Sequence, residues 1–153
     1  VKKIKPKREF WIWLAGFIDG EGCIGFRNSG DKYLNGNLRH ALRVRIANTN
    51  KETLDYIKEE VGFGFIYKAW RQPRSSSHKQ GYIYEVGNKQ ASIVLEKIMP
   101  NLKTKRLQAE LAVEYQRTKK SGRLINDEIH NEREEIKAKI RTLNQRGVLS
   151  AIA

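Results

Sequence analysis

The stretch Leu14-Ala15-Gly16-Phe17-Ile18-Asp19-Gly20-Glu21-Gly22 joins an apolar run to alternating acids and glycines. Upstream of it, Phe10, Trp11, Ile12 and Trp13 extend the apolar run, and the spacing predicts a helix over residues 9–20. Apolar side chains surround this helix, so it requires burial on more than one side. Gly16 and Gly20 lie four residues apart on one face, where a second backbone can approach closely. Each glycine costs about 1 kcal/mol relative to alanine inside a helix, so a packing or functional gain is expected to offset it.

Downstream the period changes from helical to two. Residues 23–27 predict a short strand, and residues 28–37 supply turn formers. Residues 38–46 then alternate. Leu38, His40, Leu42, Val44 and Ile46 share one face, while Arg39, Ala41, Arg43 and Arg45 share the other. Asn50 is placed to cap a helix reaching residue 61. A second hairpin is expected from residues 63–71 and 82–87, joined by a polar, basic loop over residues 72–81. Helices follow from residue 89, with Ala91, Val94, Leu95 and Ile98, and from residue 104, with Leu107, Leu111 and Tyr115. A last helix is expected from Asn131, with Ile136, Ile140 and Leu143 inward and Gly147 as its stop. The order α-ββ-α-ββ-α-α-α describes an antiparallel α+β domain over residues 9–147, after a basic arm (1–8) and before a short tail (148–153).

The charge indicates a class of partner. Against 17 Asp and Glu stand 30 Lys and Arg, a net charge of +13 over 153 residues. Such an excess favours a polyanion, because each cation that meets a phosphate releases condensed counterions. RNA and DNA fit the net charge equally. Its distribution is more specific, since Arg27, Arg39, Arg43 and Arg45 fall on the first hairpin, and Lys68, Arg71, Arg74 and Lys79 on the second. Each hairpin carries a single acid, Asp31 or Glu85. A two-stranded ribbon fits the major groove of B-DNA, where arginine pairs bidentately with guanine. One cysteine, Cys23, excludes an internal disulfide and a cysteine-rich zinc site. No apolar run approaches the roughly 20 residues that span a bilayer, so no membrane partner is expected. The basic start over residues 2–8 lacks the small-residue cleavage site of a signal peptide, and the expected location is a bacterial or archaeal cytoplasm, a chloroplast or a mitochondrion.

The nine residues 14–22 resemble the signature of the LAGLIDADG homing endonucleases, with Phe17 in place of the usual Leu, Gly20 in place of Ala, and Glu21 where Asp is commonest. The signature occurs once, and single-copy members resemble homodimers. The resemblance implies a LAGLIDADG αββαββα core with an antiparallel DNA-binding sheet and added C-terminal helices. It also implies hydrolysis of both strands of a long double-stranded DNA site with Mg²⁺ or another divalent cation. In that reading Glu21 is the metal-binding acid and the Gly20 carbonyl a neighbouring ligand. Asn48 resembles the residue that orders water, and Lys105 the basic residue that supports the nucleophile or the transition-state charge. Leu14, Gly16, Phe17 and Gly20 form the dimer interface, and Asp19 contributes structure at the helix end. An intron RNA maturase and a cleavage-inactive DNA-binding regulator are the alternatives on the same scaffold.

Other conspicuous residues have ordinary readings. Cys23 is expected to be a small core residue, and His40 a packed side chain on the apolar strand face. Trp70, Tyr82 and Tyr84 fit half-buried strand positions. His130 and Asn131 fit a helix cap.

Overall fold

The computed structural model describes residues 5–32, 36, 38–69, 77–118 and 126–145. Helix α1 (Arg8–Glu21) leads into strands β1 (Gly22–Lys32) and β2 (Leu38–Asn48). Helix α2 (Lys51–Val61), strands β3 (Phe65–Lys68) and β4 (Tyr82–Gly87), and helix α3 (Asn88–Ile98) follow. A 3₁₀ turn (Met99–Asn101), α4 (Arg106–Arg117) and α5 (Asp127–Leu143) complete the order. The strands form one antiparallel sheet in the order β1-β2-β4-β3. The α+β class and the element order are those expected, with the helices packed on a single face of the sheet.

Alternation in the strands sets that face. Ile24 opposes Val44, and Ile46 opposes Tyr84, which in turn opposes Ile66. Ile24, Leu42, Val44, Ile46, Tyr84 and Val86 join Leu54 and Ile57 of α2, Leu95 and Ile98 of α3, Val113 of α4 and Ile140 of α5 in one buried core. The opposite parity, with Arg27, Arg43, Arg45, Ile83, Glu85, Phe65 and Tyr67, forms the outer face of the sheet.

Local chemistry explains where element ends differ from expectation. Strand β1 continues to Lys32 because its turn formers make an irregularity within the strand: Asn28 Oδ1 accepts the Gly30 N–H at 2.9 Å, and Gly30 has φ +82°. Strand β3 starts at Phe65, after Gly64 at φ +93°, where a Cβ would come within 2.6 Å of the Tyr84 ring. The Tyr84 hydroxyl donates to the Phe63 carbonyl at 3.0 Å. Helix α5 begins a full turn before Asn131, because Asn126 takes the capping role and accepts the Ile129 N–H at 2.8 Å. Asn50 caps α2 as expected, accepting from Thr53 at 3.2 Å.

Some residues lie elsewhere than the sequence indicated. Leu14 is wholly buried in the chain's own core, so it has no surface left for a dimer interface. Within α1 the inward stripe is Phe10, Leu14, Ala15 and Ile18. Leu107 is exposed, and the inward face of α4 is Gln108, Ala109, Ala112, Val113 and Tyr115. Cys23 is exposed, because its parity in β1 is that of the outer face. Trp70, Arg71, Arg74 and Gly147 lie outside the described residues.

Helix α5 docks through a polar contact as well as an apolar one. Lys137, only 2% exposed, donates to Glu134 Oε1 at 2.6 Å and meets His40 Nδ1 at 2.8 Å. That contact needs a neutral imidazole accepting from the ammonium. Burial, and then the Lys137 charge, hold the His40 pKa below its ordinary value. Burial raises the Glu134 pKa, but the Lys137 hydrogen bond and charge outweigh it, and the net shift is downward.

Both shifts make the folded chain bind fewer protons than the unfolded chain. Stability should therefore fall as pH drops below about 6.5, where His40 protonates first in the unfolded state. It should fall again below about 4.5 as the Glu134 contribution is lost. Urea midpoints measured across this range check the sign, and His40→Gln should flatten the first step. A midpoint that rises on acidification contradicts the neutral contact.

Candidate functional site

The last turn of α1 places two acids with different tasks. Asp19 points across the fold to the approach to α4. Its Oδ2 accepts the Lys103 N–H at 2.7 Å, and its Oδ1 accepts those of Lys105 at 2.9 Å and Thr104 at 3.2 Å. The Lys105 ammonium donates back to the Asp19 carbonyl oxygen at 2.5 Å. A carboxylate at a helix C-terminus faces the negative end of the dipole. Here the backbone donors that precede α4, and the lysine charge, offset that penalty. The clamp also explains why α4 begins at Arg106 rather than at residue 104.

Glu21, the final residue of α1, is exposed. It lines an open cleft of about 380 Å³ with Ala47, Asn48, Thr49, Ala69, Gly81 and Tyr82. One liquid water occupies about 30 Å³, so the space admits a hydrated cation. The structure thus brings Glu21 and Asn48 together where the end of α1 meets the end of β2 and the start of β4. Asn48 Oδ1 accepts the Asn50 N–H at 2.8 Å, which commits that oxygen locally and leaves the side-chain N–H groups as donors. Lys105 is not part of the cleft lining; the Asp19 clamp holds it two residues before Glu21.

Among the described residues no three His, Cys, Asp or Glu cluster as a ready metal site. One chain offers the Glu21 carboxylate and the nearby Gly20 carbonyl. These hard oxygen donors suit Mg²⁺, which keeps several waters and shares phosphate oxygens rather than occupying an all-protein cage. These donors fit a cation whose remaining ligands are waters and phosphate oxygens.

Gly16 and Gly20 face open space, with no atom within 4 Å of a Cβ built on either. Ile12 and Trp13 are also outward, at 43% and 40% exposure. Phe17 is half-buried and stacks on Trp13 at 5.1 Å. Outward-facing glycines flanked by exposed apolar rings leave room for another backbone. Ile12 and Trp13 were legible only as members of an all-round apolar helix.

On the outer face of the sheet stand Arg43 and Arg45 of β2, with Arg27 of β1 beside them. Arg39 shares their parity toward the far end of β2. Lys68 pairs with Tyr82, whose side is that of Tyr84 and the core, so it lies on the helix-side parity apart from the arginines. Lys79 is exposed in the loop before β4. The sequence marks Asp19 as structural at the helix end but not its partners, the amides of residues 103–105, and it assigns no role to Glu85, a buried acid on the outer parity.

The LAGLIDADG endonuclease family profile matches residues 14–121. In sequence the chain is similar to the DNA endonuclease I-CvuI of Chlorella vulgaris, with 32% identity over 106 residues. That match covers 68% of this chain and 62% of the relative's length. In fold it is similar to the crystal structure of I-CvuI with uncleaved DNA in the presence of Mg, at TM-score 0.73 and 20% identity, covering 94% of this chain and 92% of that one. It is likewise similar to the archaeal intron-encoded homing endonuclease I-Vdi141I complexed with DNA, at TM-score 0.74 and 22% identity, covering 94% and 95%.

Removing the Asp19 carboxylate should release residues 103–105 while leaving the core intact. Asp19→Ala is expected to lower stability by about 2 kcal/mol, the scale of hydrogen bonds to a charged acceptor. It should also speed amide exchange at Lys103, Thr104 and Lys105 selectively. Unchanged exchange at those three amides contradicts the clamp.

Proposed function

The chain belongs to the LAGLIDADG endonuclease family, and from that premise we propose that it is a homodimeric, site-specific homing endonuclease that hydrolyses both strands of a long DNA duplex with a divalent cation. The observation that carries this reading is the open glycine face of α1 ending at an exposed carboxylate, Glu21. Two such helices, packed at Gly16 and Gly20 across a two-fold axis, bring two copies of Glu21 together. Each would then stand next to one strand of the duplex.

In this mechanism Glu21 and the Gly20 carbonyl would hold the cation. When bound, the cation would supply Lewis-acid chemistry for phosphodiester hydrolysis. Asn48 orders the attacking water through its side-chain donors. Lys105, aligned by Asp19, offers its remaining ammonium hydrogens to the developing phosphate charge. Arg27, Arg39, Arg43 and Arg45 meet the duplex from the outer face of the sheet, with Lys79 adding a phosphate contact. Lys68, from outside the arginine face, and Arg71 and Arg74 are further proposed DNA contacts.

A randomised duplex library, digested with Mg²⁺ and sequenced at its ends, gives the target and the cutting pattern together. On that target, Glu21→Gln should retain binding and lose cleavage by about a thousandfold. Undiminished cutting by the variant rejects the metal role, and binding without cutting by the wild-type chain favours the cleavage-inactive regulator. Gly16→Leu should fold at least as well, since glycine costs about 1 kcal/mol in a helix interior. By sedimentation it should be monomeric, and a dimeric variant contradicts the helix pair.

A further inference from the structure

Glu85 is 3% exposed yet lies on the outer face among arginines. In register it opposes Arg45 on one side and Phe65 on the other. Its Oε2 accepts the Tyr67 hydroxyl at 2.7 Å. Arg43 Nη1 approaches Oε2 at 3.9 Å, and Arg27 Nη1 approaches Oε1 at 4.0 Å. One carboxylate on β4 therefore gathers side chains from β1, β2 and β3, all of the same parity.

Packing alone does not ask for an acid here. Ile83, two residues away on the same strand and face, is buried as a hydrocarbon. A buried carboxylate is costly unless well paired, and an apolar residue of similar volume is often neutral or better for stability. The arginine distances carry a second clue. They are within ion-pair range but too long for hydrogen bonds. The guanidinium groups are thus drawn toward a common point while their N–H forks remain free of Glu85. Tyr67, by contrast, is bonded directly; burial first, and then the Glu85 bond, raise its pKa and keep the hydroxyl a donor. Phe65 and Tyr67 are 50% and 37% exposed, so the ring pair beside this cluster is open to an approaching surface.

We propose that Glu85 is a specificity-positioning residue, a buried carboxylate that aligns Tyr67, Arg43 and Arg27 so that they meet base edges instead of collapsing onto the nearest phosphates. The proposal rests on the reading that the outer face takes duplex DNA. Arginine discriminates guanine only when its fork is presented in plane, whereas phosphate accepts it from many directions. A fixed negative charge behind the arginines favours the first and weakens the second. Glu85 itself, buried beneath them, touches no base.

Site selection from a randomised duplex library tests this with the full-length wild-type chain, Glu85→Gln and Tyr67→Phe. Expected for Glu85→Gln is an enrichment about tenfold lower at the base pairs read by Arg27 and Arg43. Its affinity for unselected duplex should rise, with a salt dependence steeper by about one counterion. Tyr67→Phe, which keeps the ring and loses the donor, should flatten the same base pairs less, and it carries the test if Glu85→Gln does not fold. Unchanged selection profiles in both variants, even with lowered melting temperatures, overturn the proposal and reduce Glu85 to relief of arginine repulsion. A wild-type chain that enriches no duplex sequence overturns the DNA reading itself and the positioning role with it, an outcome distinct from a profile shared by all three proteins.

Discussion

The Asp19 carboxylate joins the end of the first helix to the start of the fourth, across more than half of the chain. Three consecutive backbone N–H groups converge on its two oxygens, and the Lys105 ammonium closes the return contact on the Asp19 carbonyl. The geometry of the candidate site depends on this joint, because Glu21 stands two residues beyond it and Lys105 is part of it. It also resolves an electrostatic conflict. An acid in the last turn of a helix opposes the dipole of that helix, and the donors at the entry to α4 supply the compensating field. A packed core alone would leave residues 103–105 free to choose another path.

Helix α1 divides its apolar surface between two tasks. Phe10, Leu14, Ala15 and Ile18 are consumed by the chain's own core, while Ile12, Trp13, Gly16 and Gly20 remain outside it. The aromatic residues bridge the two faces: Trp13 stacks on Phe17 and meets both Phe10 and Tyr56 edge-on or tilted. The glycine face is therefore framed by rings that are themselves held in place. In the proposed dimer that framing limits how the second helix can cross.

Two buried charges in the sheet and its helices illustrate different solutions to desolvation. Lys137 is satisfied by Glu134 from its own helix and by the neutral ring of His40 from β2, a compact contact that docks α5. Glu85 has one direct hydrogen bond and two looser arginine neighbours, an arrangement that leaves cationic groups accessible on the outer face. The first contact holds the fold together; the second leaves charge available to a partner.

Much of this was legible along the chain. Period-two alternation in residues 38–46 determined which side of β2 is core, because a strand turns successive side chains to opposite faces whatever surrounds it. Asn50 announced its helix through a cap that needs only local geometry. The run from Leu14 to Gly22 pointed to the family, the helix and the acid at its end. Local signals failed where competing local solutions existed: Asn126 and Asn131 can both cap α5, and Asn28 to Gly30 can make a turn or an irregular strand. Other decisions required the tertiary structure. The glycine spacing marked Gly16 and Gly20 as a face for close approach, but an all-round apolar helix has no intrinsic inside, so only packing could bury Leu14 and leave Ile12 and Trp13 outside. Only the register of four strands could bring Glu85 beneath Arg27, Arg43 and Tyr67, since a carboxylate finds its partners through space and not through sequence spacing.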